Sequence, residues 1–125
     1  MTLPEKLNIH KRSSELELVY PNNYSVRLSA EYLRVFSPSA EVQGHAQGKD
    51  ILQYGKRNVQ FLDIEPQGNY AIKINFSDGH DTGIYSWDYL YELATEYEKN
   101  WANYLERLSR EKKSRTPLFI DAVTD

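Results

Sequence analysis

Asp78-Gly79-His80-Asp81 places two carboxylates on either side of an imidazole within four residues, the densest knot of chemistry-bearing side chains in the sequence. A non-heme iron site needs two histidines and a carboxylate on one face, and other metals accept similar sets. His80, Asp78 and Asp81 are therefore the candidate metal ligands. The only other histidines are His10 and His45, and nothing in the spacing requires either to approach His80. The competing reading is structural: Asp-Gly is a common turn pair for backbone reasons, with the histidine hydrogen-bonded nearby.

Other chemistries find less support. No Gly-x-Ser-x-Gly elbow surrounds Ser77, Ser86 or any other serine, so a hydrolase nucleophile has no motif. The acidic residues are scattered, which gives no case for a paired-carboxylate glycosidase. Gly44-His45-Ala46-Gln47-Gly48-Lys49 lacks the four-residue gap of a phosphate loop and has no Ser or Thr after its lysine. A surface for small anions, using Lys49, Lys56 and Arg57, is a weaker reading of the same loop. There is no cysteine, which excludes disulfides, thiolate metal sites and a cysteine nucleophile.

Elements must hold these residues, and the chain of 125 residues is long enough for one hydrophobic core. With 40% hydrophobic and 26% charged residues it has the composition of an ordinary globular protein. A formal charge of −3 gives no electrostatic case for nucleic acid. The start, Met1 to Lys6, lacks the apolar core of a signal peptide, and no apolar run is long enough to span a membrane. A cytoplasmic protein is the expectation. Ten tyrosines suit a thin core with wet edges, because each ring is apolar and each tip polar.

Period-two alternation at Leu7 and Ile9, at Leu16, Leu18 and Tyr20, and at Tyr24, Val26 and Leu28 predicts a three-stranded meander. Ser29 is placed to cap a short helix running from Ala30 to about Phe36, which Pro38 ends. Residues Ser39 to Arg57 read as a loop. Asn58 to Glu65 and Tyr70 to Phe76 read as strands, with Pro66 to Asn69 between them as a turn. After the Asp78-Gly79 turn a strand resumes at Thr82 to Tyr85, and Ser86 caps a long helix. Its apolar stripe is Leu90, Leu93, Ala94, Tyr97, Trp101, Tyr104, Leu105 and Leu108. Unbroken from Trp87 to Leu108, that helix would measure about 33 Å. The expectation is an α+β fold: a small mixed, mostly antiparallel sheet covered by one short and one long C-terminal helix. It forms one domain over residues 1–109, followed by a flexible tail, 110–125. The tail holds a basic linker, Glu111 to Arg115, and an apolar patch, Pro117 to Ile120.

Three stretches carry a resemblance to a known family: Tyr32-Leu33-Arg34-Val35-Phe36-Ser37-Pro38-Ser39-Ala40-Glu41-Val42, then Ile64 to Ile72, then Phe76 to Leu90. Over about residues 5 to 100 the chain resembles the gamma-butyrobetaine hydroxylase-like N-terminal domain. In the hydroxylases that domain precedes an iron- and 2-oxoglutarate-dependent catalytic domain. It also ends some P-loop iron–sulfur carriers, and bacteria carry it alone. The hydroxylase domain binds a structural zinc through three cysteines and a histidine, in a Leu-Arg-Asp-Asn-Cys-x-Cys-x-x-Cys pattern. Laid on Leu33-Arg34-Val35-Phe36, that pattern puts Ser37, Ser39 and Val42 at the thiolate positions, with His80 as the histidine. Serine and valine do not hold zinc tightly, so no cofactor is expected and His80 becomes a vestigial ligand. The resemblance implies a non-catalytic accessory or interaction domain, acting on an oxygenase or an iron–sulfur carrier, with another protein as partner. The alternative is a metal-binding protein or small metalloenzyme built on His80 and nearby carboxylates.

Overall fold

The structure is a computed structural model that describes residues 3–44 and 50–117. His45 and Lys49, and the apolar patch Leu118-Phe119-Ile120, lie outside the described residues. The order is β1 (Lys6–His10), β2 (Glu15–Tyr20), β3 (Tyr24–Ser29), α1 (Ala30–Val35), α2 (Ala40–Gln43), β4 (Phe61–Gln67), β5 (Ala71–Phe76), β6 (Gly83–Ser86), α3 (Trp87–Thr95) and α4 (Tyr97–Arg110).

The fold is α+β. Its strands divide into two three-stranded sheets, β1-β2-β3 and β4-β5-β6, and every pair is antiparallel. In the first sheet Leu7 faces Leu18, which faces Val26, so the alternating apolar residues stack on one side. Asn22 and Asn23 both take positive φ in the β2–β3 turn, a conformation their short polar side chains tolerate. In the second sheet Ile64 faces Ile74, and Ile72 faces Tyr85.

The two sheets share one core. Leu16, Leu18, Leu28, Tyr32, Leu33, Phe61, Ile74, Phe76, Tyr85, Leu90 and Leu93 belong to a single buried cluster drawn from both sheets, α1 and α3. A satellite of Val35, Tyr104 and Leu108 is joined to it through Phe36 and Trp101.

Several boundaries differ from expectation. A short helix, α2, capped by Ser39, opens the segment read as a loop, and β4 starts at Phe61 instead of Asn58. β4 runs on through Pro66, which faces Ile72; an edge strand tolerates proline because one side of its backbone needs no ladder partner. A register shift between Phe61 and Asp63 turns Leu62 outward, 62% exposed. The long helix is two helices meeting at Glu96. The Tyr32 hydroxyl donates to the Leu93 carbonyl at 2.6 Å, the group an unbroken helix would pair with the Tyr97 N–H. The Thr95 hydroxyl donates back to the Tyr91 carbonyl, a bond that also bends helices. Tyr97 and Leu105 are exposed, although both lie on the predicted stripe. Among the described residues no helix is long and apolar enough to cross a membrane.

Candidate functional site

His80 sits where the β5–β6 turn meets the end of α1. Gly79, at φ 90°, supplies a backbone conformation that other residues rarely adopt. The turn closes with the Gly79 N–H on the Phe76 carbonyl (3.1 Å) and the Phe76 N–H on the His80 carbonyl (2.9 Å). Asp78 Oδ1 accepts the His80 N–H at 3.2 Å, a local side-chain bond typical of aspartate in turns. Together these aim the imidazole inward, where His80 is buried.

Inside, His80 Nε2 lies 2.8 Å from Ser37 Oγ. His80 Nδ1 is 3.6 Å from Glu41 Oε2. Ser37 Oγ also accepts the Ser39 N–H (3.2 Å), and the Ser39 hydroxyl bonds Thr82 Oγ1 (2.8 Å). The Gln43 amide donates to the Ser37 carbonyl at 2.9 Å. Burial pushes the His80 imidazole below its ordinary value of 6.5, and the Arg34 charge adds to that; Glu41 and Asp78 oppose it without prevailing.

Serine, histidine and glutamate in this order have the connectivity of a nucleophile relay. The surroundings forbid that use. Ser37 has no exposed surface, and a Cβ at Gly83 would come 2.7 Å from its Oγ. No substrate carbonyl reaches a hydroxyl enclosed on that side by backbone, so the arrangement fastens α1 to β6.

The carboxylates serve the same joint. Asp78 Oδ2 accepts from Arg34 Nε (2.8 Å) and from Lys56 Nζ (2.6 Å). Partial burial works to raise the Asp78 carboxyl, but the Lys56 bond, the His80 N–H and Arg34 outweigh it and hold it below the ordinary 3.8. Arg34, itself buried, spends a second donor on Gln53 Oε1 at 3.0 Å. Lys56 is thereby engaged internally instead of facing an anionic ligand. Asp81 is exposed. Among the described residues no three His, Cys, Asp or Glu side chains group as metal ligands.

Of the three positions that the resemblance assigns to cysteines, Ser37 lies against His80, while Ser39 bonds Ser37 through its N–H and Thr82 through its hydroxyl. Val42 is buried one helical turn away. The donor set does not fit zinc: Ser37 and Ser39 offer neutral hydroxyls already hydrogen-bonded to each other's neighbourhood, and Val42 offers no donor atom. Sequence pattern alone missed Arg34, Glu41, Tyr85 and Tyr89. Tyr85 donates to the Leu33 carbonyl and Tyr89 to the Phe36 carbonyl, tying the end of α1 to β6 and α3. Their signal was the excess of tyrosine, which announces polar tips in a core without saying where they bond.

A groove of about 420 Å³ runs between α2, the segment 50–53, α3 and α4, with Phe36, Leu52, Leu93 and Tyr104 among its walls.

Comparison with known proteins adds lineage. Residues 7–91 match the family described as gamma-butyrobetaine hydroxylase-like, N-terminal. A protein solved by NMR in solution is 50% identical, with a TM-score of 0.81 over 98% of this chain and 96% of its own. A second NMR structure is 47% identical, TM-score 0.77, covering 98% and 91%. A crystal structure of a DUF971-family protein with unknown function from Acidithiobacillus ferrooxidans is 35% identical, TM-score 0.61, covering 74% of this chain and 92% of that one. No curated protein matches.

Proposed function

We propose, from the premise that this chain belongs to the gamma-butyrobetaine hydroxylase-like N-terminal family, that it is a non-catalytic accessory domain that binds another protein. It acts in the cytoplasm on an oxygenase or an iron–sulfur carrier, in trans. The observation that carries this reading is the fate of the chemically capable residues. His80, Ser37, Asp78, Arg34 and Lys56 are bonded to one another where the end of α1 meets the β5–β6 turn. They hold a rigid scaffold and leave its outer surfaces, with the 420 Å³ groove, for contact.

Affinity capture with the full chain from native extract tests it. The expected result is specific enrichment of an oxygenase or iron–sulfur carrier, reproduced with purified components. A chain that stays monomeric and alone with both purified classes, at concentrations well above cellular ones, would overturn it.

A further inference from the structure

The basic linker after α4 is not accounted for by that reading. α4 stops in a helix-ending motif: Lys112 takes φ 56°, the Lys113 N–H bonds the Leu108 carbonyl (2.8 Å), and the Lys112 N–H bonds the Ser109 carbonyl (3.1 Å). The chain then turns back and runs beside residues 55–57, bending at Arg115 and Thr116. The Gly55 N–H donates to the Ser114 carbonyl at 2.9 Å and the Arg57 N–H to the Arg115 carbonyl at 3.0 Å. Arg115 grips Glu31 with two bonds, Nε to Oε2 at 2.8 Å and Nη2 to Oε1 at 2.7 Å. Its guanidinium stands 5.0 Å from the centre of the Trp101 ring, and Lys113 Nζ stands 4.7 Å from that of Tyr54.

Each contact has a recognisable selectivity. The Glu31 side chain is only 6% exposed, and a carboxylate so buried is costly unless both oxygens are satisfied. A guanidinium satisfies both at once and an ammonium does not. The aromatic faces attract cations. Lys113 meets Tyr54 while Arg115 meets both Glu31 and Trp101, so the two cations of the segment are held by different partners. The Gly55 and Arg57 N–H groups donate to two consecutive carbonyls, which a bent segment can turn to one side and a strand cannot. Glu31 and residues 54–57 lie inside the matched family region, 7–91, whereas Trp101 and the segment 113–115 both lie beyond it.

We propose that Glu31, Tyr54, Gly55, Arg57 and Trp101 form a receptor for a bent Lys-x-Arg segment, occupied here in cis by residues 113–115 and exchanged for a basic segment of a partner protein. The exchange rests on the interaction reading above; the receptor does not.

The test uses the full chain carrying Lys113→Ala and Arg115→Ala, titrated with the capped peptide Lys-Lys-Ser-Arg-Thr-Pro. Amide shifts of Gly55 and Arg57 and the indole N–H of Trp101 are the readout. Saturable shifts confined to these groups are expected, with the wild-type chain binding ~10-fold more weakly or worse, because its tethered segment competes at high effective concentration. A peptide with lysine in place of arginine binds more weakly still. If the double variant fails to fold, Arg115→Lys retains the stem and charge, and the same shifts are expected at higher peptide concentration. Absence of saturable shifts at Gly55 and Arg57 in a folded variant overturns the receptor, as does indifference to the peptide's arginine. Peptide binding without any captured partner would leave the receptor standing and remove only the accessory-domain reading.

Discussion

At the scale of single residues the centre of this protein is a neutral histidine enclosed against a serine. His80 has a folded pKa below its ordinary 6.5 because burial disfavours the imidazolium. Beneath that pH the unfolded chain takes up the proton first. The stability contributed is therefore complete above about 6.5 and is lost as pH falls toward the folded value. In His80→Gln, stability from urea unfolding should fall less steeply between about pH 7 and pH 5 than in the wild type, whose His80 contribution is at most ~1.4 kcal/mol per pH unit. Equal slopes in the two proteins would show that another group titrates. Asp78, also depressed, adds a loss in the same direction at lower pH, as acid approaches and passes its ordinary 3.8. The importance of His80 was legible in Asp78-Gly79-His80-Asp81. Its partner was not, since Ser37 lies 43 positions away and its hydroxyl belongs to no local pattern.

At the scale of elements, tyrosine hydroxyls join what the backbone ladders do not. Tyr32, Tyr85, Tyr89 and Tyr104 each donate to a main-chain carbonyl on another segment, at Leu93, Leu33, Phe36 and Gln53. Burial raises them, Tyr32 and Tyr89 to about 12, so all remain donors at neutral pH. Tyr32 also accepts from the Asn100 amide at 3.0 Å and so spans the α3–α4 bend. Tyr32→Phe should cost about 1–3 kcal/mol, because both the Leu93 carbonyl and the Asn100 amide lose their partner. Urea denaturation at neutral pH measures it; a loss within error of zero would show that water replaces the hydroxyl. The helices' existence and their serine caps, Ser29 and Ser86, were legible because capping is local. The break at Glu96 was not, because the bond that occupies the Leu93 carbonyl there comes from a hydroxyl sixty-one residues earlier in the chain.

At the scale of the whole molecule, two small sheets that could not stand alone share one core. Neither sheet has its own second layer, so neither unfolds separately. Trp87 packs on this core near β6, and Trp101 bridges it to the satellite under α4. Tryptophan fluorescence and far-ultraviolet circular dichroism should therefore report one coincident transition. Separated midpoints would show that α4 and its satellite cluster melt independently.

The sequence by itself determined the α+β class, the strands of the amino-terminal meander, the caps and the family, because alternation, capping and turn chemistry act over a few residues and survive in any context. The division of the strands into two sheets, the break at Glu96, the enclosure of Ser37 by Gly83 and the Glu31–Arg115 grip were decided only in the tertiary structure. Each joins groups that only packing brings within hydrogen-bond or van der Waals distance. In the folded chain the carboxylate beside His80 is held by Arg34 and Lys56, and its own ring by a serine that no solvent reaches, bonds that join groups more than twenty positions apart.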